Sequence, residues 1–539
     1  MPSSSIDPSS IDRRRAHAFV WLCLLLAVLA GGTWWWRAGR PVALPDAPST
    51  RIACVSYAPF RLPGETPYDL KSVVDPQRID ADLRALSQRF DCVRTYSQEH
   101  GLNAVPAIAE RYGMKVIMGV WLSSDPVANE HEVQLGIATA RAHPQALRGI
   151  VVGNEVLLRG ELSADALAGY IREVRRAVNV PVTYADVWEF WLKHHQLADS
   201  VDYLTIHILP YWEDDPVPPE YAVQHVAAVY GRVQKAFPGM RVMIGETGWP
   251  SAGRPRHATS ASLVNEARYL REFLRYASTV DMPYNVIEAF DQPWKRDQEG
   301  TVGGYWGIFD VDAQPKFAMQ GPVTEIPRWW LGWLAGGSGA LLFVLCGGWR
   351  RRWHGGRDAL ALALAGAASG AALAWQVRQL LYACHNLWEW AVSTIACACA
   401  LLTALALARR VASLLCGDTL APPSANWRWL RSGWLFALVY YDLLMVWDGR
   451  YRDFPLGLFE LPCVGYLLLG WLGGRAATVL PTVEERFLAC VGLLLGVVLV
   501  VQESGLNPVA WLWLGLNLAI ALPVGRGWWR GRRLLAQQA

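Results

Sequence analysis

The final two fifths of the chain consist of apolar runs separated by short polar segments, and this pattern limits the possible folds more than any other feature. Most of the runs approach the ~20 apolar residues that an α-helix needs to cross a bilayer. A further run, Phe19–Trp36, follows Arg13–Arg15 near the N-terminus. We predict a transmembrane anchor over 17–36 and, over 329–524, a polytopic α-helical membrane domain of about seven helices. The runs lie at 329–348, 358–376, 385–408, 432–447, 455–473, 486–502 and 508–524.

The arginines between these runs indicate how the chain crosses a membrane. Positive charge accumulates in the cytoplasmic loops of membrane proteins, and here arginine-rich and arginine-poor loops alternate. The alternation predicts that 1–16 and 525–539 are cytoplasmic ends and that 51–325, behind a linker at 37–50, lies on the opposite side. The arginine-rich loops hold Arg13–Arg15, Arg350–Arg352, Arg409 with Arg410, Arg475 with Arg486, and Arg526–Arg533.

Two acidic residues, Asp442 and Glu460, interrupt apolar runs. Because ionisable groups inside a membrane are costly, such residues often mark a path for a proton or a polar substrate. Hydrogen bonding between neighbouring helices is the alternative explanation. The sequence leaves both open.

Residues 51–325 have the composition of a water-soluble domain. The net charge of the whole chain is only +3, and this segment has no basic stripe with interleaved aromatic residues, so we predict no nucleic-acid partner. It has no C-x-x-C pair or histidine cluster with metal-ligand spacing, so we predict no metal and no cofactor. Its only cysteines are Cys54 and Cys92. Export would permit a disulfide between them, but buried strand positions often hold cysteine, and we predict two buried thiols.

Short β-rich segments alternate with amphipathic helical patterns through this domain. Such alternation, repeated about eight times over about 250 residues, is typical of a (β/α)8 TIM barrel. An open doubly wound sheet would have a glycine-rich phosphate loop after its first strand, where this chain reads SYAPFRLPGE. We therefore predict an α/β barrel with strands at 52–57, 91–96, 115–120, 149–154, 181–185, 203–208, 241–246 and 284–290, and helices that include 79–90, 104–112, 132–142, 164–178 and 264–277.

Two glutamates end strands of this predicted barrel. Glu155 follows VVGN on the fourth strand, and Glu246 ends the seventh strand in MIGETGWP. The active site of a TIM barrel lies at the C-terminal ends of its strands, and strands four and seven stand nearly opposite each other. Two carboxyl groups about 5–5.5 Å apart cleave a glycosidic bond with retention of configuration. A single glutamate at a strand end is more often a solvated or salt-bridged group, so the prediction depends on the pair.

At these positions the chain resembles glycoside hydrolase family 17, the family of β-1,3-glucanases and glucanosyltransferases. The motifs GNEV at 153–156 and ETGWPS at 246–251 carry the resemblance, which covers roughly residues 50–320. Further matches are SYAPF, RTY, GVWL, TYADVW and EAFDQPWK, at 56–60, 94–96, 119–122, 183–188 and 288–295.

The resemblance implies a role for each matching position. It implies that Glu155 is the catalytic acid/base, Glu246 the nucleophile and Asn154 a hydrogen-bonding partner of the sugar 2-hydroxyl. Aromatic side chains suit sugar rings because they combine apolar area with a polar edge, although Tyr96 and Trp121 would also suit a barrel core. The other substrate-binding positions that it implies are Tyr57, Arg94, Tyr96, Trp121, Asp186, Trp249, Glu288 and Lys295.

One position departs from the family pattern. The fungal-type motif reads FDEPWK, whereas Gln292 replaces the acidic residue here. We expect this change to leave Arg94 or Lys295 without one of its partners.

The tandem of a family 17 domain and a polytopic segment resembles bacterial membrane-bound β-1,3-glucan transglycosylases of the β-(1→6)-glucan synthase type. This implies a periplasmic catalytic domain, tethered to the bacterial inner membrane, that remodels or branches β-1,3-glucan through a covalent glycosyl-enzyme. Its partners would be β-glucan donors and acceptors, the lipid bilayer and a glucan synthase. The alternatives are a β-1,3-glucanase and, from another class, a membrane polymerase that uses nucleotide sugars and exports the glucan.

Overall fold

The computed structural model describes residues 8–69, 71–348, 356–417, 425–472 and 480–538. The chain divides into two compact units. One unit spans Val42–Val323, and the other combines the chain up to Pro41 with the chain from Thr324 onward.

The first unit contains a curled sheet of seven parallel strands, each hydrogen-bonded to the next one along the chain. The ring is completed by residues 284–290, the eighth predicted strand. Val286 forms a parallel bridge to Val55 in the first strand, and Tyr284 forms one to Ile244 in the seventh. This is the predicted TIM-like barrel. Its strands are β1 (Val55–Ser56), β2 (Cys92–Arg94), β3 (Lys115–Val120), β4 (Leu147–Asn154), β5 (Val182–Val187), β6 (Leu204–His207) and β7 (Val242–Glu246); Pro41–Val42 and Val323–Thr324 form a separate pair.

Four of the helices that alternate with these strands begin at polar side-chain caps, namely those that start at Pro76, Pro126, Ala164 and Leu263. Asp125, for example, accepts hydrogen bonds from the backbone N–H groups of Val127 and Ala128, and Pro126 occupies the first turn, where its missing N–H is not needed. This cap starts the helix at Pro126 rather than at the predicted residue 132. The helices are Pro76–Leu86, Val105–Arg111, Pro126–Ala142, Ala164–Ala177, Trp188–Lys193, Ala222–Ala236, Leu263–Ala277 and Arg296–Gly303, with short 3-10 helices at Leu102–Ala104, His195–Ser200 and Pro293–Lys295.

The barrel has two distinct apolar cores. The larger lies between the strands and the surrounding helices. The smaller consists of one buried side chain at or next to each of the strands β1 to β5 and β7, as expected for a layer inside the barrel. Its members are Cys54, Cys92, Ile117, Val151, Ala185 and Met243.

Cys54 and Cys92 form a disulfide within this inner layer, so the prediction of two buried thiols is wrong. The physical reason is the pairing of β1 with β2. Parallel pairing places Val55 beside Val93, which brings the preceding residues together with their Cα atoms 4.3 Å apart.

The second unit is helical in its described parts, and it includes the apolar runs. Five of its helices are long and apolar enough to cross a membrane: residues 14–38, 330–347, 356–383, 387–415 and 508–532. Leu456–Leu472 is apolar but shorter. Arg350–Arg352 and Arg475, used in the topology prediction, lie outside the described residues. Among the described residues, the helices of this unit are Pro8–Ala38, Trp330–Gly348, Gly356–Ala383, Leu387–Leu415, Ala425–Trp447, Leu456–Leu472, Val483–Gln502 and Pro508–Gln538, with a 3-10 turn at Gly449–Tyr451.

Some of the polar residues buried in this unit bond across helices. Asp442 accepts a hydrogen bond of 2.6 Å from the indole N–H of Trp513. Arg431 and Glu485 form a buried bidentate ion pair with distances of 3.0 and 2.7 Å. For Asp442, these contacts favour the explanation by helix–helix hydrogen bonding.

Candidate active site

A cavity of about 550 Å³ opens at the C-terminal ends of the barrel strands. The predicted residues that line it come from six strands or the loops that follow them, which is the usual construction of a TIM-barrel site. They are Tyr57, Tyr96, Trp121, Asn154, Glu155, Glu246, Glu288 and Lys295.

Glu246 ends β7 and is 5% exposed. Its Oε1 accepts hydrogen bonds from Arg94 Nη1 at 3.0 Å and from the Tyr96 hydroxyl at 2.9 Å. Burial alone would raise the pKa of Glu246, but the charges of Arg94 and Lys295, together with that of His207 when its imidazole is protonated, hold it below its usual range. The carboxyl group is therefore kept ionised, as a nucleophile requires.

Glu155 follows β4 on the opposite wall of the cavity, and its side chain is 24% exposed. Its backbone has φ +54°, a left-handed conformation that glutamate rarely adopts. The backbone N–H of Glu155 donates to the Ala185 carbonyl at 2.8 Å, which fixes this bend. Oxygen atoms of Glu155 and Glu246 lie within 4.8 Å of one another. This upper limit is compatible with the spacing of about 5–5.5 Å between the carboxyl groups of a retaining pair.

The strand end that presents Glu155 requires a glycine. Gly153 has φ +84°, and a Cβ there would lie 2.9 Å from Cγ2 of Val156. The bend turns Asn154 toward the barrel axis, where its Oδ1 accepts a hydrogen bond of 2.5 Å from Arg94 Nη2. Arg94 is thus shared between Asn154 and Glu246.

Glu288 and Lys295 form a second ion pair in the cavity. Lys295 Nζ lies 2.8 and 3.0 Å from the two carboxylate oxygens of Glu288. Burial raises the pKa of Glu288 to about 7, although Lys295 opposes the rise.

The expectation that Gln292 leaves Arg94 or Lys295 without one of its partners stays a prediction, and among the described residues Nε of the buried Arg94 has no hydrogen-bond partner. Arg94 keeps Glu246 and Asn154, and Lys295 keeps Glu288. Gln292 faces elsewhere: its Nε2 donates to the Ala58 carbonyl at 2.7 Å, and its Oε1 accepts from the Trp294 indole at 2.8 Å.

Trp121 is held as part of the cavity wall by two contacts. The guanidinium of Arg159 lies 4.3 Å from the centre of its ring. Its backbone N–H donates to Oε1 of the buried Glu132 at 3.2 Å. The ring therefore lines the cavity rather than the barrel core.

Three predicted positions do not line the cavity. Arg94 lies beneath it and acts through its neighbours. Asp186 is fully buried and accepts hydrogen bonds from the Tyr184 hydroxyl and the Val187 backbone; burial, together with the charge of Glu155, raises its pKa to about 6. Trp249 packs in the core, and its indole donates to the Ser260 carbonyl at 3.0 Å.

Sequence reasoning missed several residues of the site. His207, at the end of β6, lies 2.7 Å from Glu155. A histidine at a strand end between the two glutamate strands was the available signal for it. Four aromatic residues that line the cavity were also not singled out: Trp294, although it lies in the EAFDQPWK match, and Tyr68, Trp212 and Trp306, which lie outside every quoted motif.

Glu155, His207 and Glu246 are also close enough together to hold a metal ion. In the structure, Nδ1 of His207 already bonds Glu155 and Arg94 already bonds Glu246.

Comparisons with known proteins show what this chain is similar to. Residues 54–307 match the BtgE/BtgC glycoside hydrolase domain. A glucan 1,3-beta-glucosidase of Schizosaccharomyces pombe is 28% identical over 255 residues, which cover 44% of this chain and 79% of that protein. A probable beta-glucosidase btgE of Aspergillus fumigatus is 28% identical over 265 residues, 48% of this chain and 45% of that protein. The crystal structure of a glycoside hydrolase family 17 β-1,3-glucanosyltransferase from Rhizomucor miehei is 25% identical, covers 50% of this chain and 98% of its own, and has a TM-score of 0.44.

The matched region contains both glutamates and each of the predicted substrate-binding residues. The segment 54–307 of this chain is therefore similar to a glycoside hydrolase domain.

Proposed function

We propose that this protein is a retaining β-1,3-glucan transglycosylase that lengthens, remodels or branches glucan chains, including through β-1,6 linkages. The observation that carries the proposal is the pair Glu155 and Glu246, which face each other within 4.8 Å across a 550 Å³ cavity. The substrate class is supported by relatives that are named glucan 1,3-beta-glucosidases and a β-1,3-glucanosyltransferase.

In the first step, Glu246 attacks the anomeric carbon of the donor chain. A bond forms between its carboxylate oxygen and that carbon, and the glycosidic bond breaks. Glu155 gives its proton to the departing oxygen, so the leaving chain departs as an alcohol. Hydrogen bonds from Arg94 and Tyr96 keep the carboxylate of Glu246 ionised and hold it in a fixed orientation before the attack.

In the second step, an acceptor hydroxyl attacks the anomeric carbon and releases Glu246. Glu155, now ionised, takes the proton of that hydroxyl. Two inversions give net retention. A sugar acceptor gives transfer, and water gives hydrolysis, so a β-1,3-glucanase is the second candidate.

Two features favour transfer. Trp121, Trp212 and Trp306 give the cavity extended aromatic walls that can bind an acceptor sugar and displace water. The barrel is also joined in one chain to helices able to span a membrane, which suits an enzyme that modifies glucan as it is made. A separate glucan synthase would then supply the donor chains.

We place the barrel in the periplasm of a bacterium, between an anchor and a polytopic segment in the inner membrane. The alternation of arginine-rich loops supports this placement. The Cys54–Cys92 disulfide supports it independently, because such bonds persist in exported domains and are rare in the cytoplasm.

The test uses the full chain in detergent with laminari-oligosaccharides. Mass and linkage analysis of the products should reveal chains longer than the donor, or branched ones, and NMR of the first product should show a β-anomer. Only shorter products would establish the hydrolase instead, and an α-anomer would exclude retention.

The two glutamates are tested separately. Glu246→Gln should abolish reaction with all donors. Glu155→Gln should slow natural donors by about 10²–10⁴-fold but should spare the glycosylation step with a dinitrophenyl glycoside, whose leaving group needs no proton. Glu110→Gln, at an exposed position on an outer helix, is the control and should keep full activity. Native rates in both active-site variants would refute the proposal.

A further inference from the structure

A buried histidine joins the two proposed catalytic carboxylates. His207 is 1% exposed, and its Nδ1 lies 2.7 Å from Oε1 of Glu155. Its Nε2 faces the other side, 3.5 Å from Arg94 Nη1 and 3.7 Å from Oε1 of Glu246. A ring in this place can influence the acid/base and the nucleophile together.

The barrel provides a specific space for this ring. Strand pairing sets His207 beside Glu246 on β7 and beside Val187 on β5. A Cβ at Gly245 would lie 3.1 Å from both Cδ2 and Nε2 of the imidazole. The absence of a side chain at Gly245 therefore allows the ring to lie flat against the strand.

The charges around the ring favour one tautomer. Arg94 directs an N–H toward Nε2, where it competes with any hydrogen on that nitrogen. The other charged or titratable groups that face His207 are acidic: Glu155, Glu246 and Asp186. Glu155 is the one at full hydrogen-bond distance, so the imidazole hydrogen belongs on Nδ1, where it can be donated to Oε1 of Glu155.

We propose that His207 is a positioning residue that donates its Nδ1 hydrogen to Oε1 of Glu155, so that Oε2 of Glu155 carries the catalytic proton toward the glycosidic oxygen. This inference rests on the proposed function. Without His207, either oxygen of Glu155 can hold the proton, and the carboxyl group can rotate away from the bond that is cleaved.

The proton balance leaves the histidine unchanged. During glycosylation the hydrogen on Oε2 passes to the leaving oxygen, and Glu155 becomes a carboxylate. During transfer the acceptor hydroxyl returns a proton to Oε2. Throughout, Nδ1–H remains on His207 and bonds Oε1, which accepts this hydrogen bond in the acid and accepts it more strongly in the carboxylate.

The test compares three substitutions in the full chain. His207→Asn attaches an amide nitrogen to Cγ, as Nδ1 is attached, and can still donate to Glu155. His207→Gln moves the amide one bond further, toward the position of Nε2. His207→Phe keeps a ring but removes both nitrogens. Thermal unfolding of each variant reports whether the fold survives.

With unactivated laminari-oligosaccharides, we expect the Gln and Phe variants to lose about 10–100-fold in kcat, in line with the cost of misplacing a catalytic group, and the Asn variant to recover most of that loss. With a dinitrophenyl glycoside, the glycosylation burst should stay within about threefold of the native rate in all three, since no proton is needed. A merely structural role would lower both rates together.

Two outcomes would overturn the inference: equal losses with both kinds of donor, or an Asn variant as slow as the Gln variant. Failure of the proposed function looks different. In that case Glu155→Gln would also leave turnover of the unactivated donor unchanged.

Discussion

At the scale of single residues, Arg94 connects the two halves of the catalytic site. It is 1% exposed and bonds Glu246, Asn154 and the Gly245 carbonyl. A buried arginine needs several acceptors to offset its lost hydration, and here those acceptors are the groups that the proposed reaction must hold in place. Its positive charge also contributes to the low pKa of Glu246.

The role of Arg94 predicts how its removal changes the pH dependence of kcat/KM. Burial opposes ionisation of Glu246, and Arg94 is one of the positive groups that offset it, so Arg94→Met should raise the pKa of the nucleophile. Because Glu246 must be ionised to react, the acidic limb of the kcat/KM profile should move to higher pH. Arg94→Lys, which keeps the charge, should move it less.

The profiles are to be compared at constant ionic strength, with Arg84→Met, at an exposed position, as the control. An acidic limb that stays in place in a folded Arg94→Met protein would contradict this account of the nucleophile.

Sequence motifs were sufficient to predict the cavity residues that lie at strand ends within a motif. They were insufficient for residues whose role depends on a neighbour that is distant in the sequence. Glu155 and Glu246 were found because each ends a strand in a distinctive motif. His207 ends a strand as well, but its importance depends on a neighbour 52 residues away. Trp249 carries a motif and still lies in the core, because its indole is turned toward Ser260.

At the scale of elements, the bend at the end of β4 determines where the proposed acid/base points. Gly153 and Glu155 both have positive φ, at +84° and +54°. Glycine adopts this left-handed conformation without strain, whereas in other residues it raises the conformational free energy by roughly 1–2 kcal/mol. The bend is therefore held by the surrounding structure rather than by local preference.

Gly153→Ala should consequently lower both stability and activity. Strain in φ costs about 1–2 kcal/mol, and the contact of 2.9 Å between the new Cβ and Val156 adds to it. Gly160→Ala is a matched control, because Gly160 has φ +67° with nothing within 4 Å of its Cβ position.

Thermal unfolding and turnover are measured for both variants. The control, Gly160→Ala, should lose only the stability that a positive φ costs an alanine, and its turnover should not change. Equal destabilisation of the two proteins would mean that the contact with Val156 has no effect.

The elements themselves were largely predictable, because strand and helix periods differ. The predicted helix at 264–277 differs by one residue from Leu263–Ala277. Ala222–Ala236 was not among the helices predicted, and its first turn has no side-chain cap. The eighth strand was predicted at 284–290, but in the structure it pairs through isolated bridges rather than a continuous ladder, a distinction that hydrophobic pattern cannot make.

At the scale of the whole molecule, the chain joins a barrel to a helical unit, and the proposed placement of the barrel outside the cytoplasm has a chemical consequence. The disulfide between Cys54 and Cys92 closes a segment of 38 residues. By constraining the unfolded chain, a bond of this kind stabilises a domain by about 2–4 kcal/mol.

In cells that export the protein, we expect these two cysteines to resist alkylation in denaturant until a reductant is added. Cys463, a buried thiol of the helical unit, should be alkylated in denaturant alone and is the internal control. Mass spectrometry of the peptides distinguishes the two classes. Full labelling of Cys54 and Cys92 without reductant would contradict an oxidised barrel.

Residues 284–290 close the barrel, so the proposed active site cannot form during synthesis until this segment has been made. Tyr57 enters the cavity from the first strand and Lys295 from beyond the last, so the wall is assembled from opposite ends of the domain. A nascent chain that stops before that last stretch carries both glutamates but lacks the lysine and the closing segment. Translation itself therefore delays the onset of catalysis until almost the entire domain has emerged.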